Sequence, residues 1–166
     1  MNLVVTDTNV FIDVHDCQLL EELFALSFEI HTTEFVLFEL NNPQLAALNP
    51  FIEKGQLKVK KFDEFEMRAI LELVVTRKGV QKRIADRSVL YLADHLRAIM
   101  LGGDGDLRKE AEARKIEVHG SIWLFEQMQL QGVQTKTETV HNLKRLTKVN
   151  PRIPADLAHQ TIQRLS

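Results

Sequence analysis

The sequence has few of the features that mark secreted, membrane or zinc proteins. Cys17 is the only cysteine among 166 residues, which excludes an intramolecular disulfide and a thiolate metal cage. The six histidines show none of the paired spacings of a zinc site. No apolar run approaches the roughly 20 residues that cross a bilayer, and the N-terminus has no basic region of a secretion signal. These absences predict a protein of the reducing cytoplasm that does not contact a membrane.

The chain also has no excess of positive charge. It contains 21 Lys and Arg residues against 23 Asp and Glu residues, so its formal net charge is -2 and its pI is near 6.3. Proteins that coat nucleic acids are usually basic, and this balance argues against that class. It leaves open an enzyme that contacts a few phosphates through a local basic patch and a bound metal ion.

The hydrophobic pattern predicts an α/β fold. Short apolar runs alternate with stretches of helical periodicity, which is typical of a parallel sheet covered by helices on both faces. The predicted strands are residues 3–5, 28–32, 57–62, 98–101 and 116–118. The predicted helical segments between and after them include a short turn at 10–14 and helices at 16–26, 43–53, 64–77, 84–97, 106–114 and 121–130. The fold class is therefore a three-layer α/β/α domain.

The pattern changes beyond Gly132. Residues 136–148 and 154–165 are predicted to form two helices joined at Asn150-Pro151, and no strand follows them. We therefore divide the chain into a domain at 1–131 and a C-terminal helical extension at 132–166 that packs on the same domain.

Three carboxylates are predicted to converge at one edge of the sheet. Asp7 follows the first strand directly, and Asp104 follows the strand at 98–101 after two glycines. Asp86 lies in the first turn of the helix that leads into that strand. Parallel strands place their carboxyl ends at one edge, where open α/β sheets build their sites. Crowded carboxylates repel one another, and a bound divalent cation relieves this repulsion. Sites with only oxygen ligands select hard ions such as Mg²⁺ or Mn²⁺. Such an ion can polarise a phosphate and activate water.

Each acid also has a simpler interpretation. Asp7 is a suitable helix N-cap, and Asp86 is favoured in a first turn by the helix dipole. Asp104 and Asp106 are ordinary turn residues. A further short helix is predicted after Thr32 or Thr33, and Glu39 falls late in it, so its position alone predicts a solvated side chain.

Four segments together resemble the motifs of PIN domains. The first is Val4 to Asp13, an apolar strand followed by Asp-Thr-Asn; the second is Phe38-Glu39-Leu40. The third is Ile84 to Ala93, and the fourth is Leu101 to Ala111, followed by the strand that begins at Ile116. The motifs occur in the family's order, and the resemblance spans residues 3 to about 130.

The resemblance implies a function and a set of site residues. PIN domains use four acids to bind one or two Mg²⁺ or Mn²⁺ ions and act as endoribonucleases. Asp7, Glu39, Asp86 and Asp104 would form this quartet, with Asp106 as an extra ligand. Thr8 or Asn9 would orient the first carboxylate.

The chain departs from the family pattern in two places. Gly102 stands where the fourth motif usually has Thr or Ser, and the missing hydroxyl puts metal affinity and site geometry in question. Small PIN proteins of the VapC type are toxins held by an antitoxin protein, and many PIN domains form homodimers. The extension after Gly132 is longer than expected of a minimal toxin, so the toxin role and both partners stay open.

A basic cluster precedes Asp86 in the sequence. Its members are predicted to contact RNA phosphates beside the metal, and an equally weighted alternative is a solvated loop at a helix C-terminus. The cluster is Arg77, Lys78, Lys82 and Arg83; Arg108, one turn past Asp104, is a further candidate.

The sequence thus predicts a metal-dependent ribonuclease of the PIN type. The alternative is a weakly active or inactive PIN fold that serves as a binding or regulatory module. A receiver-like phosphoacceptor domain is disfavoured, because the chain lacks that domain's paired acids and its late lysine.

Overall fold

The structure is a computed structural model that describes residues 2–74, 83–102 and 105–166. Strands and helices alternate through most of it, as the sequence predicts. The strands are β1 (Asn2–Thr6), β2 (Phe28–Thr33), β3 (Leu57–Lys60), β4 (Ile99–Leu101) and β5 (Val118–His119). The helices are α1 (Thr8–Asp16), α2 (Leu20–Ala25), α3 (Glu34–Glu39), α4 (Asn42–Glu53), α5 (Glu64–Val74), α6 (Ile84–Leu96), α7 (Gly105–Ala113), α8 (Ser121–Leu130), α9 (Lys136–Val149) and α10 (Ala155–Leu165).

The described strands form one parallel sheet in the order β3-β2-β1-β4-β5. The predicted parallel sheet is confirmed, and β3 is one of its edge strands. The chain moves outward from β1 to β3, then crosses back to β4 on the other side of β1. Right-handed crossovers therefore place the helices that follow β1 and β2 on one face and those that follow β3 and β4 on the other. The direction changes between β1 and β4, and such a switch point is where α/β sheets bind ligands.

The core continues through both faces of the sheet. Val4 and Val5 are consecutive residues of β1, and neither has any exposed surface. Because neighbouring strand residues point to opposite faces, both faces must be covered, which explains why β1 is continuously apolar rather than alternating. No helix within the described ranges is both long enough and apolar enough to span a bilayer.

The first helical region differs from the prediction. The short turn at 10–14 is a full helix, α1, because Asp7 caps it at Thr8. The predicted helix at 16–26 is interrupted, since Gln18 adopts a left-handed conformation with φ 59° that ends α1, and α2 begins only at Leu20.

Two later boundaries also differ or lie outside the described residues. β5 begins at Val118 instead of Ile116, because the Ile116 N–H donates to the Ala111 carbonyl and closes the end of α7. The predicted C-terminal turn of the helix at 64–77 lies beyond Val74, outside the described residues.

The C-terminal helices share the core of the rest of the chain. Both lie close to the predicted positions, and Thr135 and Glu138 form a capping box at the start of α9. Leu143 and Leu146 on α9 and Ala158 on α10 are buried in the same hydrophobic cluster as β1. The extension therefore forms part of the wall around the sheet edge.

Candidate active site

Asp7 lies at the switch point between β1 and β4. Its backbone N–H donates to the Leu101 carbonyl (3.0 Å), and its Oδ1 accepts from the Val10 N–H (3.0 Å). Its interpretation as a helix cap is thus confirmed. The cap holds the carboxylate, which is only 3% exposed, in a fixed orientation at the edge of the sheet. Capping and a functional role are compatible here.

Gly102 provides the space that the Asp7 carboxylate occupies. A Cβ atom on Gly102 would lie 2.1 Å from Asp7 Cγ and 2.2 Å from each carboxylate oxygen. The glycine also has φ +117°, a conformation that side chains disfavour, and its N–H donates to the His119 carbonyl at 2.7 Å. The sequence suggested a missing hydroxyl at this position, whereas the structure has no room for any side chain there.

Glu39 is drawn into the site instead of being solvated as its position predicted. The Thr8 hydroxyl donates to Glu39 Oε1 (2.9 Å), and Arg83 forms an ion pair with Glu39 Oε2. α3 has only six residues and therefore rises about 9 Å from Thr33, at ~1.5 Å per residue. Its last residue consequently stays near the sheet edge. Thr8 orients the second acid, and its predicted action on the first stays a prediction.

Asp86 lies at the same edge, as the topology predicted. It is half-buried in the first turn of α6. Arg83, three residues earlier, contacts Glu39, and the Ser88 hydroxyl, two residues later, lies 2.7 Å from the Thr33 hydroxyl at the end of β2. Glu39 therefore links Thr8 of the first motif to Arg83, the residue just before the third motif.

Several predicted site residues lie outside the described residues, namely Asp104, Arg77, Lys78 and Lys82. Of the others, Asp106 is exposed in the first turn of α7. Among the residues that are described, no three His, Cys, Asp or Glu side chains come together closely enough to hold one metal ion.

Comparison with known proteins identifies the family. The profile of a family described as DUF3368, PIN domain, matches residues 3–166. The chain belongs to the PIN domain family. The match continues through α9 and α10, so the family's similarity includes the C-terminal helices.

The other comparisons add little beyond the fold. One similar solved structure is a PilT N-terminus domain protein, SSO1118, from the hyperthermophilic archaeon Sulfolobus solfataricus P2. It is 9% identical, with a TM-score of 0.46, and the alignment covers 76% of this chain and 92% of that one. A search of curated proteins gives no significant match.

The donor chemistry of this PIN domain suits a hard divalent ion. Asp7, Glu39 and Asp86 offer only carboxylate oxygens, the ligands that Mg²⁺ and Mn²⁺ prefer. The recess above Gly102 keeps the Asp7 carboxylate buried where a side chain would displace it. Arg83 balances the charge of Glu39, which lowers the repulsion among the acids.

A second buried carboxylate of the PIN domain was missed by the sequence analysis. Asp13 is 5% exposed, and its two oxygens accept from the Ser121 hydroxyl (2.6 Å) and the Asn150 side-chain amide (2.9 Å). Burial raises the pKa of Asp13 above its usual 3.8, and these two hydrogen bonds lower it in part. The available signal was helical spacing, since Asp13 lies three residues after Val10 on the buried side of α1.

A cleft extends from the acidic edge toward the C-terminal helices. It has a volume of about 640 Å³, and we call it the α8–α10 cleft. Asn9 and Gly102 line the end nearest Asp7, and most of the other lining residues belong to α8, α10 and the loop 150–154. The predicted RNA-contacting residue Arg108 lies at this cleft, with its Nη2 atom 3.7 Å from the position of a Cβ on Gly120.

Proposed function

We propose that this PIN domain is a metal-dependent endoribonuclease that hydrolyses RNA phosphodiester bonds. The observation that carries the proposal is the position of Glu39, which contacts Thr8 beside Asp7 and Arg83 beside Asp86. The segments that carry Asp7, Glu39 and Asp86 are thus connected to one another at the switch-point edge of the sheet. PIN domains are generally nucleases, and this arrangement supports the same chemistry here.

The side chains of the site would have distinct roles. Asp7, Glu39, Asp86 and Asp104 would hold Mg²⁺ or Mn²⁺, with Asp106 as an additional ligand. The bound ion would supply Lewis-acid polarisation of the phosphate.

The surrounding groups would fix these acids before substrate binds. The Val10 N–H and the Gly102 recess hold the Asp7 carboxylate in one orientation. The Thr8 hydroxyl holds Glu39, so little reorganisation is needed at the moment of reaction.

Positive side chains near the acids would position the RNA. Arg83 already lies next to Glu39, and Arg108 lies beyond the Gly102 side of the site. Contacts to phosphates set register without reading sequence. Arg77, Lys78 and Lys82 remain predicted phosphate contacts on the same segment as Arg83.

The direct test is cleavage of a labelled single-stranded RNA pool in Mg²⁺, in Mn²⁺ and in EDTA. Wild type is compared with Asp7→Asn and Asp86→Asn. Asp94→Asn is the matched control, because Asp94 is on α6 about 12 Å from Asp86 at ~1.5 Å per residue and pairs with Arg114. We expect cleavage only with metal, and only in wild type and the control.

The same experiment separates the ribonuclease from the alternative. Folded wild type that binds RNA without cutting it in any metal would favour a binding or regulatory module. Cleavage that persists in EDTA or in both site variants would contradict the proposed acids and point to a contaminating nuclease.

The toxin role and the protein partners are separate proposals. Phe38 and Phe65 are 78% and 80% exposed, and Leu71 is 49% exposed. Exposed apolar side chains on α3 and α5 support a protein contact, either a homodimer or an antitoxin. Sedimentation of wild type and Phe38→Asp/Phe65→Asp tests the homodimer, and growth arrest on expression tests the toxin role.

A further inference from the structure

The α8–α10 cleft contains more positive than negative side chains, although the whole chain is acidic. Arg108, Arg152 and Arg164 line it, against the carboxylates of Asp13 and Glu126. Glu126 pairs with Arg164, and Asp13 accepts two hydrogen bonds from neutral groups. Within the described residues, the guanidinium groups of Arg108 and Arg152 take part in no ion pair. Arg152 lies near enough to Asp13 to lower the pKa of that carboxyl, but neither guanidinium group is held by a direct ion pair, so both can contact an anionic ligand.

The loop that carries Arg152 is fixed to the acid-bearing part of the fold. The Asn150 side-chain amide donates to Asp13 on α1, and the Arg152 backbone N–H donates to Asn150 Oδ1 (3.0 Å). The backbone of Arg152 is therefore held in place before any ligand contacts its side chain. The C-terminal region is coupled in this way to the helix that Asp7 caps.

Part of the cleft lining is apolar. Trp123 on α8, Ile153 in the loop and Leu157 on α10 face the same space. The His119 ring stacks on Trp123 with centroids 4.0 Å apart and an interplanar angle of 6°. Arginines beside aromatic and aliphatic surface are typical of sites that bind single-stranded nucleic acid through phosphates and bases together.

We propose that the α8–α10 cleft binds the nucleotides of single-stranded RNA that adjoin the scissile phosphate. Arg108 and Arg152 contact phosphates, and the bases lie against Trp123, Ile153 and Leu157. A volume of about 640 Å³ is in the range of small-ligand sites, roughly 300–1,000 Å³. Duplex RNA is excluded, because its bases are stacked and paired away from such a wall. The inference rests on the proposed ribonuclease function, because that function makes RNA the ligand.

The test measures binding without cleavage. A fluorescein-labelled single-stranded RNA of mixed sequence is titrated in EDTA, and anisotropy is followed over a range of salt concentrations. Arg108→Gln/Arg152→Gln should weaken binding about tenfold and reduce the salt-dependence slope by about 1.4, or ~0.7 for each lost phosphate contact. Lys144→Gln/Lys148→Gln is the matched control, with the same charge change on the outer part of α9 and away from the cleft.

Two variants that place opposite charges at Leu157 sharpen the test. Leu157→Glu should weaken RNA binding and Leu157→Lys should strengthen it, each by a few-fold. Glutamate is favourable in the first turn of α10, so weaker binding by the glutamate variant cannot be attributed to loss of that helix.

The possible outcomes separate this inference from the proposed function. Equal affinities of the two double variants, or no RNA binding by wild type, would overturn the assignment of the cleft to RNA. A protein segment would then be the favoured occupant of the cleft. Metal-dependent cleavage would still stand in that case. Selective weakening by Arg108→Gln/Arg152→Gln supports the cleft even if wild type cuts nothing, in which case the proposed catalysis alone fails.

Discussion

Two buried carboxylates, Asp7 at the N-cap of α1 and Asp13 within α1, have different surroundings. Asp7, the N-cap, is oriented by a backbone N–H and lies against the bare Cα of Gly102, and the next residue, Thr8, donates to Glu39. Asp13, in the second half, has each oxygen occupied by a neutral donor, from Ser121 and from Asn150. Burial alone does not separate a functional acid from a structural one. The difference lies in what surrounds the carboxylate.

The difference follows from what each carboxylate joins together. Asp7 is at the junction of β1 and β4, where the strand order changes direction and open α/β sheets bind their ligands. Asp13 joins α1 to α8 and to the loop before α10, and its contacts are 108 and 137 residues away in sequence. We therefore expect substitutions at Asp7 to change activity and substitutions at Asp13 to change stability.

The largest expected effect is on the activity of Asp7→Asn. We expect single-turnover RNA cleavage in Mn²⁺ to fall by about 10³-fold, or ~4 kcal/mol. Because asparagine is also a good N-cap, the free energy of unfolding in urea should change by less than about 1 kcal/mol. Asp13→Asn should show the reverse, with cleavage within about tenfold of wild type and a loss of ~1–3 kcal/mol in unfolding free energy. Equal loss of activity in both variants would remove the distinction.

The next effect concerns the close approach of Gly102 to Asp7. Gly102→Ala forces the carboxylate to move, and a displacement of about 1 Å in a site can lower activity about 10²-fold. Gly132 also has a left-handed backbone, with φ +75°, but nothing lies within 4 Å of its Cβ position. Gly132→Ala should cost ~1–2 kcal/mol of stability and leave cleavage unchanged.

Gly120→Ala completes that series, because its Cβ would meet only Arg108 Nη2 at an ordinary 3.7 Å. We expect stability and cleavage close to wild type. If Gly102→Ala retains full cleavage activity, the recess around Asp7 has no part in the site.

The features that the sequence predicted are those that follow from chain direction. Asp7 and Asp86 were predicted to lie at one edge because parallel strands end there and the helix that leads back into the next strand begins there. The predicted strands at 28–32 and 98–101 follow from short apolar runs that end at polar residues. These properties depend on nearby residues, so a single sequence contains them.

The features that the sequence did not predict depend on distances between remote elements. The position of Glu39 in its helix did not predict its place in the site, which only the family resemblance implied. Glu39 reaches the site because α3 is only six residues long and because the Thr8 hydroxyl, 31 residues away, donates to it. The role of Gly102 follows from the pairing of β1 with β4, which sets the carboxylate of Asp7 directly above it. The bond between Asp13 and Asn150 joins opposite ends of the chain. No local pattern determines such contacts.

The third prediction concerns the hydrogen bonds of Asp13. Asn150→Ala removes a donor to a buried carboxylate and should lower the free energy of unfolding by about 1.5–3 kcal/mol. A double-mutant cycle with Asp13→Ala, measured by urea denaturation, should give a coupling energy of ~0.5–3 kcal/mol. Lys148→Ala, on the exposed surface of α9, is the control. Strict additivity of Asn150→Ala and Asp13→Ala would contradict the contact.

The smallest expected effect is the pH dependence of the same carboxylate. Burial, the main cause, raises the folded-state pKa of Asp13 above 3.8, so the folded protein binds this proton more tightly than the unfolded chain. The associated stability is complete below pH 3.8 and is lost as the pH rises through the folded pKa. The unfolding free energy of wild type relative to Asp13→Asn should therefore decrease between pH 4 and pH 7. One proton limits the slope to about 1.4 kcal/mol per pH unit.

Ser121→Ala provides an internal check on the pH range over which this stability is lost. The Ser121 hydroxyl lowers the pKa of Asp13, so its removal should raise the folded pKa further and extend the loss of stability to higher pH. Urea midpoints of wild type, Asp13→Asn and Ser121→Ala at matched pH values measure both shifts. A pH-independent difference between wild type and Asp13→Asn would mean that Asp13 titrates alike in the folded and unfolded chains. The contrast with Asp7 would then rest on hydrogen bonding alone.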